Sequence, residues 1–551
     1  MTDQAKAGTE TTANPAAVPP SGPASSWSPF RHSVFAVLWT ATVIANIGTW
    51  MQNAAAGWLM TGLNADPLVV ALVQVATTLP MFLFGIPAGA LADIFDRRRL
   101  LIGVQIALTV LLAGFSVLVW LGLASAAALL VFTFVMGTGA ALIAPAWQSI
   151  VPQLVPREEL SPAVAANSVG INVSRAVGPA LAGLLIGALG LAAPFWINAL
   201  CNVGVVAALI WWRPGTTQTH HLPPERFGSA ILVGLRHARR NPHLRSTLIR
   251  AVGFFVFASA YWALLPLVAR TQINGGAALY GILLGAIGAS AVAGALILPL
   301  LKRRLGADGL AAAGTMGTAV ALILFGLARE PVAALVASSV AGLSWIAVLA
   351  TLNVSAQVGL PAWVRGRGLA LFVTVMFGSM SLGSVIWGQL ANFAGLSATH
   401  VIAAVGLALV LWLLRGWKLQ TGEGVDLNPS MHWPAPVAAQ EVDAERGPVL
   451  VTIEYQVAPE NHAAFLRALA ALAEQRRRDG AFEWGVFADA AKPERFVETF
   501  MIASWIEHLR QHDRVTREGM EVQERVNAFH AGSGPPLVSH LIAADERAFN
   551  G

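Results

Sequence analysis

Gly89-Ala90-Leu91-Ala92-Asp93-Ile94-Phe95-Asp96-Arg97-Arg98-Arg99 is a short basic turn set between two long apolar stretches. Pro67 to Ala92 lies on one side and Leu100 to Ala124 on the other, and neither carries a charge in its interior. At about 1.5 Å per residue, each is long enough to cross a bilayer core of roughly 30 Å as a helix. Three consecutive arginines do not sit in hydrocarbon, so the chain returns to water here. The turn fixes a hairpin of two membrane spans, and its charge fixes the side on which the hairpin bends.

The wider composition agrees. Of the 551 residues, 56% are hydrophobic and only 12% charged, where a soluble domain has about 25% charged. The single cysteine, Cys201, lies inside an apolar run. It builds no disulfide framework and reads as a small packing residue. A net charge of +5 and a pI near 9.9 point to cytoplasmic loops facing anionic lipid rather than to nucleic acid. Residues 1–30 are rich in Thr, Ala, Pro and Ser without the pattern of a signal peptide, and are predicted to form a disordered cytoplasmic tail.

Apolar segments recur at 34–60, 67–92, 100–122, 124–148, 165–188, 190–212, 246–268, 278–301, 308–328, 331–357, 367–391 and 396–414, which gives twelve expected spans. The segments 100–122 and 124–148 are divided by length, since one helix of that size far exceeds a single crossing. With a cytoplasmic start, one side collects Arg31, Arg97 to Arg99, Arg157, the basic segment from Arg213 to Arg250, Lys302 to Arg304, Arg365, Arg367, Arg415 and Lys418. The other side collects Arg270 and Arg329. This is the positive-inside bias, and it puts both termini in the cytoplasm.

The longest connection, 213–245, divides the spans six and six. Phe227, Ile231, Leu235 and Leu244 among its basic residues suggest a helix lying on the membrane surface. The two sides of this division echo each other. Gln148-Ser149-Ile150-Val151-Pro152 corresponds to Gln357-Val358-Gly359-Leu360-Pro361, and each precedes a short basic turn. Gly178-Pro179-Ala180-Leu181-Ala182-Gly183 is echoed by Gly383-Ser384-Val385-Ile386-Trp387-Gly388. Matches in the same order favour two related halves of a transporter.

Residues 31–420 resemble a bacterial major facilitator exporter, of the branch containing enterobactin and other siderophore exporters and macrolide-efflux proteins. The stretch from Pro145 to Leu160, continuing to Asn167, carries most of that likeness. The resemblance implies a carrier of the cytoplasmic inner membrane, exporting a siderophore-like or macrolide- or drug-like molecule by alternating access and drawing on protons. It assigns Gly89, Asp93, Arg97 and Arg98 to a loop that gates the cytoplasmic side, and Gly178, Pro179 and Gly183 to the glycine-proline motif of exporters. Ile94 and Asp96 depart from the usual loop, and the second copy keeps Arg303, Arg304 and Gly306 without an acidic counterpart of Asp93.

Physical chemistry gives some of these residues roles without the family. Gly85 and Gly89 permit close helix approach. Asp93, near a helix end among arginines, is either a breakable or a static ion pair. Gly178 and Pro179 thin and loosen their span, as a motif of export or as a plain kink. Arg175 lies about ten residues inside span five, where a charge must face protein, water or a counter-charge. It either receives an anionic substrate or is locked to Asn172 or to neighbouring helix ends. Asn46, Trp50, Gln52, Tyr261, Trp262, Trp345 and Asn353 are further candidates for a central path, while Trp50, Trp58, Trp211 and Trp212 also fit interface anchors. No acidic residue falls in the middle of any span, so a proton carrier is not visible and Asp93 is its nearest substitute. The absence of a glycine-lysine phosphate loop argues against an internal ATPase, and the sequence calls for no cofactor.

After a polar linker, 421–446, alternation begins at Val449, Val451, Ile453, Tyr455 and Val457. A helix is expected over 459–478, strands over 481–488 and 494–503, helices through 504–528 and a strand over 537–543. This β-α-β-β-α-β order predicts an α+β ferredoxin-like domain over 447–551. It resembles the antibiotic-biosynthesis-monooxygenase family, which implies homodimerisation. Trp505, His508 and His512 are its candidate pocket residues, and without a third ligand the two histidines predict no metal site. The reading that results is an all-α membrane transporter of twelve helices in two halves, 31–212 and 246–420, with the soluble domain appended. Its partners are the bilayer, a small molecule and protons, and it is not an enzyme. The rival reading is a membrane-anchored monooxygenase-like enzyme or ligand sensor with its activity in 447–551. Twelve repeated spans exceed what an anchor needs.

Overall fold

Several helix starts are written into the turns before them. Asp66 accepts from the backbone N–H of Leu68 and Val69 at 2.8 and 3.3 Å, with Pro67 opening the helix. Asp96 accepts from Arg99 N–H at 2.8 Å, and Ser125 from Ala128 N–H at 3.2 Å. Asn241, followed by Pro242, caps its helix in the same way. These caps satisfy backbone donors that have no partner within the helix.

The computed structural model describes residues 25, 27–213, 241–358, 360–420, 443, 446–515 and 517–544, and gives the backbone alone at 90, 93, 94, 157, 362, 363, 512–514 and 518. Among these residues ten helices are long and apolar enough to cross a membrane. They are α1 (Ser33–Leu63), α2 (Pro67–Ile94), α3 (Arg97–Trp120), α4 (Ala126–Ile150), α5 (Leu160–Leu189), α6 (Ala193–Trp211), α7 (Pro242–Leu267), α8 (Ala277–Leu327), α9 (Pro331–Val358) and α10 (Ala362–Leu413). A π-helical turn, Val268–Gln272, extends α7.

Two of the ten are broken. Gly306 has φ 68° in α8 and Gly395 has φ 78° in α10, a left-handed backbone that glycine adopts without a Cβ clash. The expected segments 278–301 and 308–328 are thus the two arms of α8, and 367–391 and 396–414 the two arms of α10. Between α3 and α4 the chain turns through Gly122, at φ 69°, before the Ser125 cap. The expected tail falls mostly on 1–24, the linker mostly on 421–442, and the surface helix of the central segment mostly on 214–240, all outside the described residues. Leu244, assigned to that surface helix, instead lies in the first turn of α7 and is buried.

Beyond the linker an α+β domain follows the expected order. It comprises β1 (Val449–Gln456), α11 (His462–Arg478), β2 (Phe482–Ala488), β3 (Arg495–Ile502), α12 (Trp505–Arg514), α13 (Arg517–Asn527) and β4 (Leu537–Ile542). Its antiparallel sheet runs β2-β3-β1-β4, with Val451 opposite Phe500 on one side and His540 on the other. Alternate residues of β1 are buried against Phe465, Leu469 and Leu472 of α11, as a period of two against a helical stripe requires.

Candidate transport pathway

Arg175 stands midway along α5, and its surroundings are set by small neighbours. A Cβ on Gly178 would lie 2.6 Å from Trp50 Cβ, so α5 and α1 touch through backbone. Ser174 adds a bond from its hydroxyl to the Val43 carbonyl of α1 at 3.2 Å. The Arg175 guanidinium carbon then lies 5.3 Å from the ring centre of Trp50. Its Nε is buried without a hydrogen-bond partner. Asn172 makes no bond to it; the Asn172 amide donates to Ser168 O at 2.8 Å.

α7 and α9 bring aromatic rings together. Tyr261 and Trp262 have ring centres 5.5 Å apart, as do Trp262 and Trp345, and Phe255 packs 5.3 Å from Trp345. Tyr261 is fully buried and lies within electrostatic range of Arg175. Other candidates have partners within their own helices or neighbours. Gln52 accepts from the Asn198 amide of α6 at 2.7 Å and is 1% exposed. Asn353 accepts from Gln357 one turn on. Asn46 and Trp50 are half-buried on α1.

At the end of the bundle that carries the α1–α2 turn, contacts cross between α1–α6 and α7–α10. The Asn392 amide donates to Asp66 at 3.1 Å. Arg270 donates to the Thr61 hydroxyl at 3.0 Å and covers the Trp58 ring at 5.3 Å, and Trp58 stacks on Tyr280 at 6.0 Å. Deeper in, the hydroxyls of Thr78 and Ser381 are 2.7 Å apart. Sequence reasoning missed all of these pairs, which join residues hundreds of positions apart. It also missed the seam Gly281-x-x-x-Gly285-x-x-Gly288, whose spacing marks a close-packing helix face.

The glycine-proline motif lies in that seam. A Cβ on Gly183 would come within 2.7 Å of Ala277 O, so α5 packs against the first arm of α8. The echo behaves alike: Gly383 faces Val256 O of α7, and a Cβ on Gly388 would lie 2.7 Å from Ala71 Cβ of α2. Farther along α2 the packing loosens. A Cβ on Gly85 would find only Met81 and Thr374 at 3.9 Å, and one on Gly89 would meet nothing within 4 Å.

At the α2–α3 end, Arg98 donates from Nε to Leu209 O and from a terminal nitrogen to Ile210 O, both at 2.8 Å, and so caps the last turn of α6. Arg97 reaches Ser149 O at 3.4 Å. Asp96, which breaks the family's usual loop, is the cap of α3. The Asp93 side chain lies outside the described residues. Arg250 pairs with Asp308, whose carboxylate also takes Leu419 N–H at 3.1 Å and fastens the chain after α10.

In the α+β domain, Trp505 and His508 are buried with ring centres 5.6 Å apart. The third ring is His540 of β4, 4.6 Å from His508, and its burial lowers its pKa below the ordinary histidine value. The His512 side chain lies outside the described residues. No group of three metal-ligating side chains occurs among the described residues.

Residues 24–548, which include the α+β domain, match the family described as transmembrane secretion effectors. Over 222 residues the chain is 30% identical to the uncharacterized MFS-type transporter YfiS of Bacillus subtilis, covering 39% of this chain and 51% of that protein. Over 430 residues it is 26% identical to the multidrug efflux pump Tap of Mycobacterium tuberculosis, covering 75% of this chain and 99% of Tap. Its fold is similar to the crystal structure of a bacterial homologue of the human lysosomal transporter Spinster, with a TM-score of 0.56 at 16% identity over 71% of this chain and 98% of that one. The chain is therefore a multi-pass transporter of the cytoplasmic membrane, and it belongs to the transmembrane secretion effector family of the major facilitator superfamily.

Proposed function

We propose that this protein exports a small amphipathic molecule, drug-like or siderophore-like, by alternating access across twelve crossings in two halves, with protons moving the other way. The observation that carries this reading is the exchange of glycine contacts. Gly178 packs on α1 and Gly183 on α8, while their echoes Gly383 and Gly388 pack on α7 and α2. Taking each arm of α8 and α10 as one crossing, these contacts map onto one another when spans 1–6 and 7–12 are exchanged. Such a relation supports rocking of one half against the other. The multidrug efflux activity named for Tap supports the direction of transport and the substrate class.

In this reading both termini are cytoplasmic, and the Asp66–Asn392 and Arg270–Thr61 contacts close the outer side. Arg98 holds the inner turn to α6 and Arg97 reaches Ser149 O of α4, so movement of the gate at Gly89 and Asp93 works against these contacts. The α+β domain serves regulation or dimerisation. Phe487, Leu537 and Leu541 support that role, being 61%, 62% and 55% exposed on its strands β2 and β4.

Two experiments test this. Cysteines at Asn64 and Glu330, both exposed, should react with an impermeant thiol reagent outside intact cells, whereas one at Thr216 should not. The Asp93→Asn variant keeps size and removes charge. It should insert and bind substrate normally yet export at a strongly reduced rate per folded molecule. An unchanged normalised rate would remove Asp93 from the gate.

A further inference from the structure

We propose that the transported molecule is an aromatic anion, its acid group paired with Arg175 and its ring set against Trp50 and the Tyr261–Trp262–Trp345 cluster. This rests on the transporter reading and names its substrate class. Arg175 makes no hydrogen bond or ion pair among the described residues. The neighbouring Ser174 hydroxyl donates to Gly170 O and Val43 O and the Asn172 amide to Ser168 O, and neither bonds the guanidinium. Tyr261 Oη is likewise buried without a hydrogen-bond partner among the described residues. Among the described residues between 33 and 420, every acidic residue lies at or near a helix end or in a connection: Asp66, Asp93, Asp96, Glu158, Glu159, Asp308 and Glu330.

An arginine with no counter-charge halfway through a membrane helix is costly to fold and is tolerated where a counter-charge arrives from outside the chain. Its planar fork matches a carboxylate, sulfonate or phosphate better than it matches any neutral group. Repulsion disfavours cations at the same place. The Trp50 ring lies 5.3 Å from the guanidinium, and Tyr261, within electrostatic range of it, has the Trp262 ring 5.5 Å beyond; these rings supply flat apolar faces for the body of the ligand. An anion leaving a cell with a negative interior moves down the electrical gradient. That lessens the need for a carboxylate proton carrier in mid-span, and none is present there.

The test uses the purified full chain and probes of matched shape: 1-naphthoate and 2-naphthalenesulfonate as anions, 1-naphthamide as the neutral form and 1-naphthylmethylammonium as the cation. Equilibrium dialysis should show the wild type binding the anions at least tenfold more tightly than the amide, about 1.4 kcal/mol, and the cation most weakly. Arg175→Gln should abolish the preference, and Arg175→Lys should keep part of it. Because an unpaired charge is removed, Arg175→Gln should melt no lower than the wild type, and the anions should raise the melting temperature of the wild type alone. Arg175→Met, suited to hydrocarbon, decides the matter if the glutamine variant does not fold. An absent preference in the wild type, or a preference that survives in a folded neutral variant, overturns the proposal. Transport of the amide or cation without the acids, measured in proteoliposomes, overturns the anion assignment and leaves the transporter reading standing. Acid binding that depends on Arg175 with no transport of any probe supports the site and counts against the transporter reading.

Discussion

The Asn392 amide donates to the Asp66 carboxylate at 3.1 Å, joining residues 326 positions apart at the α1–α2 end of the bundle. That bond, with help from the Leu68 and Val69 N–H groups, lowers the Asp66 pKa below its ordinary 3.8. Asn392→Ala should loosen the closure on this side. In a Cys201→Ser background, a cysteine at Ser381, roughly three helical turns deeper, should react several-fold faster with an external thiol reagent when Asn392 is removed. The sign of the pKa shift sets the pH behaviour. A carboxylate with a lowered pKa keeps its contribution above the ordinary value and loses it only as pH falls through the lower folded value. External acidification from pH 7 to 5 should therefore leave the labelling rate unchanged once it is divided by the rate of a fully exposed reference cysteine at the same pH, since only the thiolate reacts. An acceleration over that range would show that Asp66 is not the latch.

The glycines divide into two kinds. Gly183→Val and Gly388→Val drive side chains into backbone or Cβ atoms within 2.7 Å and should cost about 1–3 kcal/mol of stability, seen as lower melting temperatures. Gly187→Ala meets nothing within 4 Å and should be neutral. Gly89→Ala also meets nothing here, so its melting should be unchanged, yet export should fall several-fold if α2 closes on α10 elsewhere in the cycle. Full export with Gly89→Ala would take the basic turn out of the gating mechanism.

Much of this architecture was legible because it rests on local chemistry. The Asp66 cap, the strand alternation from Val449 and the apolar runs each follow from a few neighbouring residues. The break between α3 and α4 is also written locally, as Gly122 at positive φ followed by the Ser125 cap. What local pattern does not contain is pairing at a distance. Nothing around Gln52 announces that Asn198 will occupy its carbonyl, and nothing around His508 announces His540. The i, i+4 spacing points to His512 as the partner; a strand from the other end of the domain brings a further imidazole, His540, to 4.6 Å from His508.

His540 gives that domain a pH dependence. Its burial lowers its pKa from the ordinary 6.5. Above that value both folded and unfolded forms are neutral, whereas below it the unfolded chain takes up the proton more readily and the fold loses stability. Brief proteolysis of the full chain should thus cut faster within 447–544 at pH 5.5 than at pH 7.5, after correction for protease activity. His540→Phe should flatten the difference, and an unchanged difference would assign it to another group.

Removing residues 447–551 separates the two parts of the molecule. The membrane helices contain the whole of the proposed path, so correctly inserted truncated protein should retain measurable export. Complete loss of transport from a well-inserted truncation, together with turnover of the same compound by the soluble domain, would favour an enzyme with a membrane anchor.

The central claim is export by alternating access, and the most direct measurement is uptake into inside-out membrane vesicles that contain the full-length protein. With an imposed proton gradient, labelled drug-like and siderophore-like compounds should be screened for accumulation above their external concentration. At least one should accumulate, and a protonophore or Asp93→Asn should abolish most of that accumulation. Uptake no greater than in vesicles lacking the protein, for every compound in a panel spanning anions, neutral molecules and cations, would contradict the account.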